Sequence, residues 1–590
     1  MRSQWSFRRA ALAALVFVLV APIPTWAQTR PRLFGQSARD PRPATSDGRT
    51  ARARLVLVRV DLLGAALDRA TSAEAPFTLN LFDDVLFDLR RVRIDTSTPG
   101  YRSWIGTSGA GDDVIAALTL GPAGLSGGIT AHGTSYALEA VEPGETLVRE
   151  LSPLGAPPEL PAQIPPRATT PAAAGVAAAE APARIDVLVL YTEGARIRAG
   201  GSAQIEASLA NAVAVTNTAL ERSAVDATLA TVGLQQVPYE EAGGGLIGDL
   251  TAMSSGGALS TLVDSLRAAT GADLVALVVG RISPSAGCGV AYLGPAPSAV
   301  FSVTEEACLF AGQWSFSHEI GHNFGADHAP GDPVVSPVPY ARGYRDQSLR
   351  TLMAYAAPGA PARLLNYSSS TVREPAVTGL VTGNSLQDNA RRLAETATTL
   401  AAYSTATIAP DAPLDLVASA QHGTVTVTWS GPGTGGPVTG YLLEAGPAPG
   451  SVLYGPFMLP TPAAVFPAVL PGRYYGRVRS LGPGGMSPPT ADVAIDVAPA
   501  CAVPGPAVVN ASVMAGSATL QWFAPPGTGV TFYEVGLGSS PGALDLGVFG
   551  VGTLTAADVP APRGQYFVRV RGTNACGPGG PSAELRVVVP

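Results

Sequence analysis

The 590-residue chain contains no lysine, so apart from histidine every cationic side chain is an arginine. A GC-rich coding bias accounts for this without invoking function. Charged residues are also scarce, at 14%, and 38 basic against 45 acidic side chains leave a net charge of −7. With no basic excess to displace phosphate counterions, nucleic acid is excluded as a partner. Beyond the first 27 residues no apolar run approaches the roughly 20 residues that a membrane span requires. Cysteine occurs four times and histidine five times. Glycine (67) and proline (53) together make about a fifth of the chain. That is rich in turns and strands, but short of the roughly 25–30% that marks low complexity. Hydrophobic residues, at 46%, are ample, and this length exceeds what one hydrophobic core serves, so several domains are expected.

Arg2, Arg8 and Arg9 precede the apolar run Ala10–Ala21, and Thr25-Trp26-Ala27 offers small residues for cleavage. Residues 1–27 read as a signal peptide, so the mature protein is expected to be secreted, in the bacterial manner. An even cysteine count suits an oxidising compartment. Sequence allows three pairings of four cysteines; Cys288–Cys308 and Cys501–Cys576 keep each bridge within one expected domain.

Strand-like runs (LVLVRVDL from Leu55, FTLNLF at Phe77–Phe82, VIAALTL at Val114–Leu120) make residues 28–155 a β-rich domain. Residues 156–183 are Pro/Ala-rich and nearly uncharged, and read as an exposed linker. A β domain and linker ahead of an enzyme suggest a propeptide. From Arg184 buried-strand runs alternate with helical spacing: IDVLVLYT, then Ile205, Leu209, Val213 and Leu220, then ADLVALVVG, and a closing helix capped by Asp388. This α/β domain spans 184–407. Residues 408–497 and 498–590 then repeat one plan, with Trp429 or Trp522 on an early strand, Tyr441 or Tyr533 after it, and a Tyr-x-x-Arg-Val late strand closed by Gly-rich turns. Two tandem β-sandwiches are expected, resembling fibronectin type III modules.

Chemistry concentrates in His318-Glu319-Ile320-Gly321-His322-Asn323-Phe324-Gly325-Ala326-Asp327-His328. On a helix His318 and His322 lie one turn apart on one face. Gly325 can adopt a left-handed conformation and swing the chain back, which offers His328 as a third ligand. Three imidazoles with an open fourth position suit a catalytic zinc ion. Glu319, beside the first ligand, can take a proton from the attacking water. His132 and His422 stand alone in other domains and read as ordinary surface or core residues.

Downstream, Met353 and Tyr355 lie in RTLMAY. Together with the histidine motif, these segments resemble the metzincin zinc proteases. The resemblance covers residues 184–404 and is closest to bacterial reprolysin-like members, including the peptidyl-Asp metallopeptidases. It implies a twisted mixed sheet with an active-site helix, one zinc ion, and Met353 in a packing turn under the site. Tyr355 matches a tyrosine that some metzincins use as a switchable ligand or transition-state donor. Gly289-Val290-Ala291-Tyr292 stands where the family's sheet edge holds substrate. Ala329 replaces the aspartate that adamalysins carry after the third histidine, and no calcium-repeat motif is visible, so calcium is not readable.

The expected function is a secreted zinc endopeptidase acting on proteins, as a monomer, with the β-sandwich modules free to bind cell-surface or matrix material. Arg342, Arg345 and Arg350 could favour an acidic substrate side chain, although solvated surface arginines are the commoner case. The alternative is an adhesive protein whose β-sandwiches act and whose metzincin domain is vestigial. Residues 28–183 hold no cysteine, so no thiolate from this region can reach the metal. Latency would instead rest on covering the cleft, with a carboxylate or His132 presented to the metal, until cleavage near Arg184.

Overall fold

The computed structural model describes residues 30–38, 50–68, 74–108, 114–152, 159–165, 182–241, 243–281, 287–310, 312–356, 361–374, 379–404, 408–421, 423–498, 502–524 and 529–590. The signal-peptide segment 1–27, His422 and Cys501 lie outside them. Cys288 and Cys308 are bridged. The pairing expected for Cys501 with Cys576 therefore falls on residues not fully described.

The chain is multidomain and β-rich. Nine antiparallel strands between Phe34 and Leu151 form one sheet, with Phe34–Gln36 and Glu74–Phe82 at its edges. Its core gathers Phe77, Leu79, Trp104, Leu118 and Leu138. The run from Leu55, expected to stay extended through Leu62, instead ends as a strand at Val58 and becomes the helix Val60–Asp68. Arg59 and Asp61 break the apolar alternation. Leu63, Ala66 and Leu67 then recur at helical spacing and are the residues the helix buries.

The α/β unit follows. Four parallel strands, in the order Ala227–Gln236, Ala183–Tyr191, Leu274–Val279 and Phe301–Glu305, are joined by one antiparallel edge strand, Gly289–Ala291. Leu274–Val279 is wholly buried, as a parallel strand covered on both faces should be. The Cys288–Cys308 disulfide ties the start of the edge strand to the turn after its partner strand. The helix Ser202–Arg222 is buried along nearly its whole length, because the nine-stranded sheet packs on it as well. Asn211 Nδ2 donates to Ala117 O at 3.1 Å, and Asn217 Nδ2 donates to Asp95 at 3.0 Å.

Each C-terminal region pairs a three-stranded with a five-stranded antiparallel sheet. Trp429 lies edge-on to Tyr441 and Trp522 edge-on to Tyr533, with ring centroids at 5.4 and 6.0 Å. Among the described residues no helix is long and apolar enough to cross a membrane.

Candidate metal centre and active site

The helix Ser315–Asn323 carries His318, Glu319 and His322, all fully buried. It is anchored to the open side of the sheet by Asn323, whose Nδ2 donates to Tyr292 O, Ala299 O and Phe301 O at 3.2, 2.9 and 3.0 Å. Gly325 follows at φ +95°, a conformation that disfavours any side chain. A Cβ there would also meet Gly294 O at 2.6 Å. The reversal brings His328 back against the helix. Its Nε2 lies 3.1 Å from both His318 Nε2 and His322 Nε2.

What orients these rings is the carbonyl on the far side of each. His318 Nδ1 faces Leu352 O at 2.9 Å, His322 Nδ1 faces Ala326 O at 2.8 Å and His328 Nδ1 faces Pro333 O at 2.6 Å. A neutral imidazole that donates from Nδ1 keeps its lone pair on Nε2. Three lone pairs therefore converge, and the three residues form a group able to hold one metal ion. Burial, reinforced for His318 and His322 by neighbouring imidazoles, pushes all three below the ordinary histidine range. The donor set fits a borderline-soft divalent ion.

Asp327, which the sequence reading passed over, shapes the loop beyond the helix. One carboxylate oxygen accepts from His328 N at 2.8 Å, the other from Val335 N and Ser336 N at 2.7 and 2.6 Å. Its adjacency to the third histidine was the signal available. Met353 is fully buried beneath the helix, where a Cβ on Gly321 would meet its sulfur at 2.8 Å.

Glu319 sits under the edge strand. A Cβ on Gly289 would approach its Oε1 at 2.4 Å, so a glycine leaves the carboxylate its room. Both carboxylate oxygens are buried without a hydrogen-bond partner. Burial, and then the charge of Glu159, push its carboxyl well above the ordinary range. The Tyr355 ring lies 4.3 Å from that of His328, and its hydroxyl is likewise buried and unpartnered. Asp332 accepts from Tyr355 N at 3.0 Å and is paired with Arg345, so it fixes this segment beside the site.

The arginines singled out from the sequence are each engaged. Arg342 donates to Ser336 O, Arg345 to Asp332, and Arg350 to Pro361 O and Ala354 O. Arg363, overlooked in the sequence, is buried and bonds the equally buried Glu159 at 3.0 Å. The expectation that the linker is exposed throughout is thus corrected: Glu159 and Ala162 are buried against the α/β unit. His132 is exposed in a hairpin turn at φ 49°, its ring 6.4 Å from Phe87, and is not part of the histidine group.

The buried histidine group and the unpaired carboxylate beside it, under the edge of the sheet, fit the metallopeptidase class. Residues 181–381 match the family model described as metallo-peptidase family M12B, reprolysin-like. The chain is 30% identical over 362 residues to a peptidyl-Asp metalloendopeptidase of Xanthomonas campestris pv. campestris, a match covering 57% of this chain and 84% of that one. It is 32% identical over 324 residues to the peptidyl-Asp metalloendopeptidase of Stenotrophomonas maltophilia strain K279a, covering 52% and 75%. The chain belongs to the reprolysin-like M12B metallopeptidases and is a metalloendopeptidase. Enzymes of this family use zinc, with which the histidine group is consistent. Among solved structures, the chicken CNTN1 FN1–FN3 domains align at TM-score 0.19 and 18% identity over 31% of this chain and 65% of theirs, too low to assign a fold to the C-terminal sheets.

Proposed function

We propose that the protein is a secreted zinc endopeptidase in which His318, His322 and His328 hold one zinc ion and Glu319 is the general base. When bound, zinc polarises a scissile carbonyl and acidifies water at the site. The chain's own groups do the rest. A substrate in extended form pairs by backbone hydrogen bonds with Gly289–Tyr292, which brings its scissile amide over Glu319. The Glu319 carboxylate receives a proton from the attacking water and returns it to the leaving amine. The Tyr355 hydroxyl, buried and unpartnered, donates to the oxygen on which charge develops. The name of the relatives supports a preference for an acidic residue beside the cut.

The nine-stranded unit reads as a propeptide. Its contact with the helix Ser202–Arg222 includes polar groups, among them Asn211, Asn217 and the Tyr101–Glu206 hydrogen bond at 3.2 Å. Water can take over such partners after separation, as it cannot for an apolar core.

The observation that carries the reading is the set of three Nδ1–carbonyl contacts that turn three Nε2 atoms inward beside the unpaired Glu319 carboxylate. Glu319→Gln is expected to keep one equivalent of zinc while kcat falls at least about a hundredfold. Near-normal turnover with full zinc would exclude Glu319 as the base. Tyr355→Phe is expected to lower kcat with KM little changed. An unaltered kcat would reduce Tyr355 to a packing residue.

A further inference from the structure

The segment Glu159–Pro165 runs along the edge strand of the catalytic sheet and bridges it at Gln163. Leu160 N–H donates to Gly289 O at 3.1 Å, Gln163 N–H donates to Ala291 O at 2.8 Å, and Leu293 N–H donates to Gln163 O at 2.8 Å. The bridge between Gln163 and Tyr292 is parallel. These are the edge-strand groups with which an extended substrate would pair, and the same strand overlies Glu319. At the head of the segment, Glu159 turns inward. Its Oε1 accepts from Ser315 Oγ at 2.8 Å and from Arg363 Nη1 at 3.0 Å. Its Oε2 is buried with no partner.

The seat that receives this carboxylate is built into the α/β unit. Ser315 is the first residue of the site helix and fully buried. Arg363 is only 6% exposed and spends its remaining contact on Gln313 O, with Nε unpaired. A guanidinium taken this far out of water is tolerated when a carboxylate matches it. Without Glu159, that partner would have to come from whatever occupies the cleft. The seat adjoins the chemistry: Ser315 lies about one turn before His318 and Glu319 on the same helix.

We propose that Arg363 and Ser315 form the pocket that reads an acidic substrate side chain, and that Glu159 fills it as the chain's own stand-in while residues 160–163 occupy the edge strand. This rests on the substrate alignment proposed above. It explains how a region without cysteine enforces latency. The stand-in lies upstream of the expected cut near Arg184, so it would depart with the nine-stranded unit. It also names Arg363, rather than Arg342, Arg345 or Arg350, as the residue that sets the preference.

The test uses the full chain with zinc at one equivalent and paired fluorogenic peptides that differ only by Asp or Asn. Glu159→Arg is expected to speed hydrogen exchange at the Leu293 amide and to raise cleavage of the Asp peptide at least about tenfold, because a charged hydrogen-bonded partner is lost from the seat. In that background Arg363→Met should remove the Asp-over-Asn preference, lowering the ratio of Asp to Asn cleavage by about 10- to 100-fold. Ser315→Ala, a milder change should Arg363→Met not fold, should shrink the preference by a smaller factor. Unchanged Leu293 exchange and unchanged latency in Glu159→Arg would overturn the stand-in. An intact Asp preference in folded Arg363→Met or Ser315→Ala would overturn the pocket. Faster exchange with no cleavage of either peptide would support the stand-in and count instead against the proposed catalytic alignment.

Discussion

The two C-terminal repeats share a strand plan but have opposite relations to the catalytic unit. Register aligns Arg477 and Arg479 of the first with Arg569 and Arg571 of the second. In the first, Arg479 is 3% exposed and reaches Glu206 of the catalytic unit at 3.2 Å and Glu444 at 3.4 Å. Arg477 is paired with Glu444, which is fully buried. Burial alone would raise the Glu444 carboxyl, but the two arginines hold it below its ordinary value. In the second, Arg571 is exposed and Arg569 meets Glu584 in a half-exposed pair.

Neighbouring residues account for the difference. Leu442, Leu481 and Met486 on the first repeat join the core of the catalytic unit, and each such burial contributes about 1.5–3 kcal/mol. The register counterparts in the second are Glu534 and Thr573, with Pro578 across from Thr573. Those residues give water no reason to leave. Glu206 shows how far the first junction reaches. Besides Arg479 it accepts from Tyr191 at 2.9 Å and from Tyr101 of the nine-stranded sheet at 3.2 Å, so one carboxylate meets three units. A shared strand motif therefore does not imply a shared role: each repeat has a buried cluster of its own, and the first also joins the core of the catalytic unit.

Among single substitutions, the largest effect expected from this contrast belongs to Arg479→Met. It leaves Glu206 and Glu444 short of a buried counter-charge, and breaking one side of such a pair costs about 3–5 kcal/mol. Arg571→Met, at the equivalent exposed position, should stay within about 0.5 kcal/mol of wild type. Urea unfolding of both variants reads the difference directly. Equal midpoints would mean that the ionic cluster adds nothing beyond packing.

The helix bearing the histidine group was legible in the sequence because the three histidines lie within eleven consecutive residues, where helical geometry and one glycine decide which side chains meet. The closing helix was legible for a similar reason: Asp388 caps it by accepting from Arg391 N at 3.0 Å. The seat for Glu159 was not. Ser315 and Arg363 are separated by 48 positions and Glu159 lies 156 before Ser315, so only the sheet edge brings them together. A proline- and alanine-rich run reads as linker by composition, and composition is silent about backbone donors facing an unpaired strand. The contrast between the repeats was half legible, since Leu442 and Leu481 stand at strand positions that a solvated face would give to polar residues.

The smallest effect expected is that of ending the chain after Val497. The buried cluster of the second repeat begins at Ala507 and draws on Leu520, Trp522, Val568 and Val570, all within that repeat. Its removal uncovers none of Leu442, Leu481 and Met486, which the catalytic unit already covers, and it leaves the Arg479–Glu206 contact intact. Peptide turnover and the unfolding midpoint of the remaining chain should therefore match the full-length protein, with stability altered by no more than about 0.5 kcal/mol. Ending the chain before Leu414 would instead strip Arg479 from Glu206 and bare the apolar patch, with a loss at least as large as that of Arg479→Met. If the cut after Val497 proves as damaging as the cut before Leu414, the second repeat also supports the catalytic unit, and the division drawn between the two repeats fails.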